Sequence, residues 1–160
     1  MKIIKVTALL ILVLLVTEAN SQNFELGKVL HKEFLEKFHP EDTTAVAVVL
    51  FKKAKTIFKY NLSRGFTVNH EYTYRIKIYK KEGLSWANFE VPDYVRYEDM
   101  NDESVKFSNV VTYNIEDGTV VKTKLNGEGS FKKNVNEYWN LATISMPNVK
   151  VGSVIEFKSK

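Results

Sequence analysis

Cysteine is absent from this 160-residue sequence. The fold therefore contains no disulfide bond, no lipid can be attached to an N-terminal cysteine, and no thiolate can act as a nucleophile. Stability has to come from the burial of apolar side chains instead. The sequence is 44% hydrophobic and 26% charged, which is ordinary for a globular domain with a real core.

Proline and glycine are scarce as well, with three prolines and seven glycines in the chain. No linker, low-complexity segment or internal repeat stands out, so a single domain is predicted. The formal charge of +4 is too small to indicate nucleic acid as a partner. Glycine-rich phosphate loops, zinc spacings and calcium loops are also missing, and the sequence predicts no cofactor and no metal.

A hydrophobic run of membrane-spanning length is missing too, since spanning requires about 20 apolar residues. The N-terminus has two lysines in residues 1–5, an uncharged stretch from Val6 to Val16, and a polar stretch with small residues from Thr17 to Gln22. This order is typical of a secretory signal peptide, predicted here as residues 1–21. Cleavage after Ala19 is the alternative to cleavage after Ser21. We expect an exported protein, in the periplasm, at the cell surface or secreted, without a permanent membrane anchor.

The next segment, residues 22–41, shows helical spacing. Its apolar residues recur at intervals of three and four, and charged residues fill the positions between them. The apolar set is Leu26, Val29, Leu30, Phe34, Leu35 and Phe38. This pattern predicts a short amphipathic helix that ends before Pro40, because the residue preceding proline is disfavoured in the helical region.

The clearest periodic signal in the chain runs from His70 to Lys80. Tyr72, Tyr74, Ile76 and Ile78 fall on one side, and Glu71, Thr73, Arg75 and Lys77 fall on the other. A period of two is typical of a strand with one face on a core and one face in water. We therefore expect Arg75 and Lys77 to face solvent.

The rest of the chain is read as neighbouring strands. Turns at residues 52–55 and 63–65 predict a three-stranded antiparallel meander, and Asp117-Gly118 predicts a hairpin. The other predicted strands cover residues 84–91, 138–146 and 153–158, and an exposed acidic loop covers residues 92–104. No turn follows the last strand, which suggests that the sheet has lost the next strand beside it.

Three segments carry a resemblance to a known family: residues 42–50, 75–83 and 146–157. They resemble the blocks of DUF3857, an exported module common in Bacteroidetes, over about residues 25–160. The resemblance implies a β-sandwich-like module followed by a transglutaminase-like domain with a Cys, His, Asp site. This sequence has no cysteine and ends near the end of the family block, so no catalytic residue carries over. A C-terminally truncated member is one interpretation.

The predicted fold class is therefore mainly β, an antiparallel β-sandwich-like domain over residues 42–160. The first functional hypothesis is a noncatalytic exported module, accessory to a transglutaminase-like or peptidase domain in cis or in trans. The alternative is a free-standing envelope protein that binds a glycan or a peptide. Its candidate surface residues are Trp86, Tyr94, Trp139 and Arg75, although aromatic residues in β proteins more often belong to the core, and both tryptophans are predicted to be buried. A hydrolase that uses His70 is a third hypothesis.

Overall fold

The structure, a computed structural model, describes residues 24–63, 65–95 and 103–160, without the side chain of Glu128. Its one α-helix in these ranges is α1 (His31–Leu35). The strands are β1 (Ala47–Asn61), β2 (Gly65–Ile78), β3 (Asn88–Tyr94), β4 (Phe107–Glu116), β5 (Thr119–Lys124), β6 (Ser130–Asn134), β7 (Trp139–Ser145) and β8 (Val154–Ser159). Two 3₁₀ helices, Lys81–Ala87 and Gly127–Gly129, precede β3 and β6.

The strands form two antiparallel sheets, as the sequence predicted. The larger sheet has the order β1-β2-β8-β4-β5, and the smaller has the order β3-β7-β6. Alternating apolar residues of both sheets meet in one core that includes Ile76, Ile78 and Phe157 from the larger sheet and Ile144 from the smaller. The predicted fold class, mainly β with antiparallel sheets, is therefore confirmed.

β1 and β2 form one long hairpin rather than the first two turns of a meander. β1 continues through residues 52–55, where a turn was predicted, and pairs in register with β2 from Lys52↔Tyr74 to Asn61↔Gly65. The predicted turn is wrong because the lysine run contains no glycine, proline or asparagine to reverse the chain, and alternate lysines fit a strand as well. The irregularity lies earlier, between Val49 and Phe51.

The final strand lies in the middle of its sheet. β8 pairs with β2 on one side and with β4 on the other. The prediction that this strand lacks a neighbour is therefore wrong. Its burial is continuous from Val154 to Phe157, as expected for a strand covered on both faces.

The Asp117-Gly118 hairpin is confirmed. Asp117 has φ 50° and Gly118 has φ 75°, and they join β4 to β5. Two consecutive residues with positive φ match the twist of an antiparallel pair, and glycine adopts this conformation without steric cost. β6 was not predicted, because its five residues are all exposed and show no apolar alternation.

The N-terminal segment departs most from its prediction. Of its residues from Phe24 onward, which the structure describes, only His31–Leu35 form an α-helix, and none of these five is buried. Residues 24–38 instead lie across the outer face of the larger sheet, where their backbone carbonyls accept hydrogen bonds from Arg75 and Lys77. The predicted signal peptide, residues 1–21, lies outside the described residues. Among the residues that the structure describes, no helix is both long enough and apolar enough to cross a membrane.

The strand predicted over residues 84–91 is present only in the last part of that range. Residues up to Ala87 form a 3₁₀ helix, and β3 begins at Asn88. β3 also extends through Pro92 and Asp93 into the predicted exposed loop. Asp93 is fully buried, and its carboxylate lies 2.5 Å from the Lys132 amine on β6. Three acidic residues of that predicted loop, Glu98, Asp99 and Asp102, lie outside the described residues.

Candidate functional site

Arg75, expected at the surface, is only 3% exposed. Its Nε donates to Glu156 Oε1 at 2.6 Å, and its Nη1 donates to Glu33 Oε1 at 3.1 Å. Its Nη2 donates to the carbonyl oxygens of Glu25 and Lys28 at 3.1 and 2.9 Å. Every nitrogen of the guanidinium is therefore used inside the protein. The solvent-facing prediction failed because periodicity gives the side of a strand and does not show what covers that side.

Glu156 is the partner that links Arg75 to the N-terminal segment. It is 1% exposed, and its Oε2 accepts hydrogen bonds from the Gly27 N–H at 2.8 Å and from the Tyr113 hydroxyl at 3.0 Å. Burial, and then the negative charge of Glu156, raise the pKa of Tyr113. A carboxylate that meets an arginine, a phenol and a backbone amide is fully paired, so this network fastens residues 24–33 to the sheet.

Lys77 is the second buried cation on this face, and it is fully buried. Its amine donates to the Gly152 carbonyl at 2.6 Å and to the Phe34 carbonyl at 3.4 Å. Burial lowers the pKa of Lys77 to about 8, against the opposing charges of Glu36 and Glu33. A lowered lysine pKa is one property of a catalytic amine. Here, however, the amine is enclosed under the N-terminal segment and bonded to backbone, which indicates a structural role.

The two tryptophans are at the surface, each 42% exposed, so the prediction that they are buried is wrong. Trp86 lies on the exposed side of a 3₁₀ helix, and Trp139 is the first residue of β7. Each lies near the end of a helix or strand, where only one side of a large ring contacts the core. The sequence pattern did not contain that information.

Trp139 and Tyr94 form the one aromatic pair among the candidate residues. They lie opposite each other on β7 and β3, with ring centroids 5.4 Å apart and planes at 70°. Trp86 precedes Asn88, which pairs with Ser145 at the other end of the same ladder. Six residues of strand separate the two ends, a distance of about 20 Å. The structure therefore brings Tyr94 and Trp139 together and leaves Trp86 and Arg75 elsewhere.

His70, the candidate base of the hydrolase hypothesis, is exposed on β2. Its Nδ1 lies 3.0 Å from the Thr56 hydroxyl on β1. No carboxylate hydrogen-bonds to this imidazole within the described part of the chain. Such a carboxylate normally orients a catalytic histidine. Nor do the described residues contain a group of three His, Cys, Asp or Glu side chains placed to hold a metal ion.

A further surface was not singled out from the sequence: the outer half of the β1–β2 hairpin, called here the hairpin tip (residues 55–62 and 65–71). The inner half, the hairpin base (residues 47–54 and 72–78), contributes Ile76 and Ile78 to the core, and its Ala47 and Tyr74 pack against the core. One face of the tip is apolar and exposed, and this tip face consists of Phe58, Tyr60, Leu62, Phe66 and Val68, which are 73%, 62%, 93%, 80% and 47% exposed. A contiguous exposed apolar patch of this kind is a candidate interaction surface. The available signal was the alternation of Phe58, Lys59 and Tyr60.

Much of this geometry lies in a part of the chain that matches a known protein family. Residues 66–160 match the family described as a Domain of Unknown Function, DUF3857. The chain belongs to the DUF3857 family. The match includes Arg75, Lys77 and Glu156, and it contains the second and third of the sequence blocks but not residues 42–50. No curated protein and no solved structure matches this DUF3857 chain.

Proposed function

We propose that this DUF3857 domain is a noncatalytic exported module that serves a transglutaminase-like or peptidase domain, in cis or in trans. The observation that carries the proposal is the buried network around Arg75. Arg75, Glu156 and Lys77 are the charged groups best suited to chemistry, and each is bonded to the N-terminal segment or to backbone. Groups that are fully paired and enclosed support a fold and leave no open reactive centre.

Exposed apolar surface supports an accessory role for this module. The tip face presents five large apolar side chains to solvent. A domain that acts alone seldom retains such a patch, because water contact with it is unfavourable and invites association. A module whose function is to position another domain requires a surface of this kind.

The proposal is tested first by turnover. The purified protein should show no transamidation and no peptide hydrolysis, and His70→Ala should change nothing. Added to the transglutaminase-like protein of the same source, it should co-elute in size-exclusion chromatography. Turnover by this chain alone that is lost in His70→Ala would overturn the proposal.

Export is part of the same proposal, and its support is the signal-peptide pattern of residues 1–21. Expression of the full chain in a bacterial host should yield a mature protein outside the cytoplasm. N-terminal sequencing should then begin at Gln22, or at Asn20 for the alternative cleavage site. Retention in the cytoplasm with Met1 intact would contradict export.

The second candidate, binding of a glycan or a peptide, is favoured by the exposure of Trp139 beside Tyr94. An aromatic pair at a strand end can stack on a sugar ring or on a peptide side chain. Titration with oligosaccharides should then change tryptophan fluorescence saturably. Trp139→Ala should abolish the change and Trp86→Ala, equally exposed but at the other end of the sheet, should retain it. A flat titration would remove this candidate.

A further inference from the structure

Residues 24–38 of the N-terminal segment are held on the larger sheet by side-chain contacts. In the described part of the chain neither sheet includes these residues. Every backbone-to-backbone hydrogen bond that they make to the described residues stays within the segment: Lys28 to Glu25, Glu33 to Leu30 and Glu36 to Lys32. The segment therefore lies on the sheet in the manner of a bound peptide.

The sheet binds the backbone of this segment through both kinds of polar group. Glu156 accepts a hydrogen bond from the Gly27 N–H at 2.8 Å. Arg75 donates to two carbonyl oxygens of the segment, and Lys77 donates to a third at 3.4 Å. Hydrogen bonds to the main chain are the usual source of affinity when a protein binds an extended peptide.

Three residues of the segment make the contact selective. The Phe24 ring stacks on Phe51 with centroids 3.5 Å apart, and the Arg75 guanidinium lies 4.5 Å from its centre. Gly27 has φ 89°, a conformation in which any residue with a side chain is strained. Both carboxylate oxygens of Glu33 lie within 3.2 Å of Arg75 Nη1. A segment that fits this face therefore needs an aromatic ring, a glycine and a carboxylate at this spacing.

Water can replace much of this contact. A hydrogen bond within a protein is exchanged for hydrogen bonds with water at a small net cost. No residue of α1 is buried, and Leu30, Leu35 and Phe38 are 47%, 64% and 57% exposed. A cavity of about 160 Å³ remains between the segment and the sheet, beside Phe51 and Arg75. The segment therefore covers the face without being sealed to it.

The connection from this segment to β1 is long enough for the segment to leave its own sheet. Residues 40–44 are all exposed. Within the described residues, their one hydrogen bond to a distant part of the chain runs from Lys80 Nζ to the Thr44 carbonyl, at 2.8 Å. When extended, the eight residues 39–46 span up to about 28 Å, close to the diameter of a small domain. A released segment therefore reaches a neighbouring molecule.

We propose that residues 24–38 exchange between two copies of this chain, so that the segment of each copy binds the larger sheet of the other. The second copy supplies the ring, the glycine and the carboxylate at the required spacing, because its sequence is identical. Reciprocal exchange also keeps Arg75 and Lys77 covered in both copies. This inference goes beyond the proposed function and does not depend on it, because it requires only the contacts between this segment and this sheet.

Other occupants of the face fit the observations less well. A small carboxylate would pair with Arg75 but would leave the contacts to backbone carbonyls unmade. A segment of a different protein would have to carry the same three groups at the same spacing. The second copy meets every requirement that the observed contacts impose.

The first test is complementation between two variants of the purified protein. Glu33→Ala retains the sheet face and loses the carboxylate, whereas Arg75→Ala retains the segment and loses the guanidinium. When the two are mixed, the sheet of the first binds the segment of the second through an unchanged pair of Arg75 and Glu33. Sedimentation velocity should therefore detect a dimer in the mixture at a concentration at least about tenfold lower than in either variant alone.

A second pair of variants keeps this test decisive. Circular dichroism verifies the folding of each protein. If Arg75→Ala does not fold, Phe24→Ala and Phe51→Ala are mixed instead, because exchange restores the stacked pair in the same way. The mixture should again dimerise more readily than either variant alone.

A labelled peptide with the sequence of residues 24–38 tests the face itself, by fluorescence anisotropy. The chain's own segment competes with this peptide at the high effective concentration of a tethered ligand. Because Glu33→Ala weakens that competitor, this variant should bind the peptide at least about tenfold more tightly than the unchanged protein. Glu41→Ala, which changes an exposed glutamate outside the segment, is the matched control and should bind like the unchanged protein. A peptide with Gly27→Ala should bind more weakly.

Several outcomes would overturn the proposal. One is a mixture that dimerises no more than its separate variants. Another is failure of the peptide to bind Glu33→Ala. A third is binding of the peptide while every mixture stays monomeric, which would assign the face to a segment of another protein. Because neither assay requires a transglutaminase-like protein or an enzymatic activity, failure here is distinct from failure of the proposed function.

Discussion

The base and the tip of the β1–β2 hairpin are made of the same two strands, yet their surroundings are opposite. At the base, Arg75 to Ile78 are all buried, with apolar side chains on the core and charged side chains under the N-terminal segment. At the tip, the apolar face is open, and Phe66 is 80% exposed. The base is covered because β8 pairs with β2 from Tyr72 to Lys77 and because residues 24–38 lie over Arg75 and Lys77.

This difference shows that alternation in a strand specifies two faces without specifying where each face lies. In β2 the apolar face begins in the core at Ile78 and Ile76 and ends in solvent at Val68 and Phe66. The polar face is buried at Lys77 and Arg75 and partly exposed at Asn69 and Thr67. The base therefore contributes stability, and the apolar side chains of the tip are exposed to solvent.

The largest expected difference in stability is between alanine substitutions at two phenylalanines. Phe157 is fully buried in the core beside the base, and Phe66 is on the tip. Phe157→Ala should lower the free energy of unfolding by about 3–5 kcal/mol, because it removes buried area and leaves a cavity. Phe66→Ala should change it by no more than about 0.5 kcal/mol. Urea unfolding checks both, and comparable losses would contradict the contrast between base and tip.

A smaller loss of stability is expected when a contact that holds the N-terminal segment on the sheet is removed. Glu33 accepts from Arg75 and also from the Leu30 N–H at 2.9 Å, at the start of α1. Glu33→Ala should reduce the free energy of unfolding by about 1–3 kcal/mol, since it leaves a buried donor without its partner. Glu25→Ala, which removes an exposed ion pair with Lys28, should cost no more than about 0.5 kcal/mol. Equal effects in urea unfolding would show that the segment is not held through Arg75.

The last expected effect is a dependence of stability on pH. Lys77 has a pKa of about 8 in the folded protein and 10.5 when unperturbed, so between these values the unfolded chain binds more protons than the folded one. The free energy of unfolding should therefore rise with pH from about 8 to about 10. Above that range the raised pKa of Tyr79, about 12, acts in the opposite direction.

Urea unfolding at a series of pH values checks this rise in the free energy of unfolding. Lys77→Met should abolish the rise, and Lys133→Met should retain it. If the free energy of unfolding of Lys77→Met still rose with pH by the same amount, the Lys77 amine would have to be hydrated in the folded protein.

Much of the fold followed from local signals. The alternation of residues 72–78 identified β2 and its core face, and Asp117-Gly118 identified the β4–β5 turn, because each feature depends on residues close together in the chain. Lysines 52, 53 and 55 were mistaken for a turn, since charge alone does not distinguish a turn from an exposed strand.

The buried network could not be predicted in the same way. Arg75 is buried because Glu156 and residues 24–33 come to it across the fold, and no periodicity encodes that meeting. Among the candidate binding residues, Tyr94 and Trp139 were brought together by the register of β3 with β7. That register depends on how two strands distant in the sequence pair in the fold. Trp86 and Trp139 were expected in the core, but both lie at element ends.

The most direct measurement is residue-resolved hydrogen exchange of the β2 amides. In the free protein, the amides of Ile76 and Ile78 should be protected for longest, because both residues are buried in the core. The amides of Thr67 and Asn69, which β1 pairs at the exposed tip, should exchange faster through local opening of the hairpin. Protection of Thr67 and Asn69 equal to that of Ile76 and Ile78 would contradict the account.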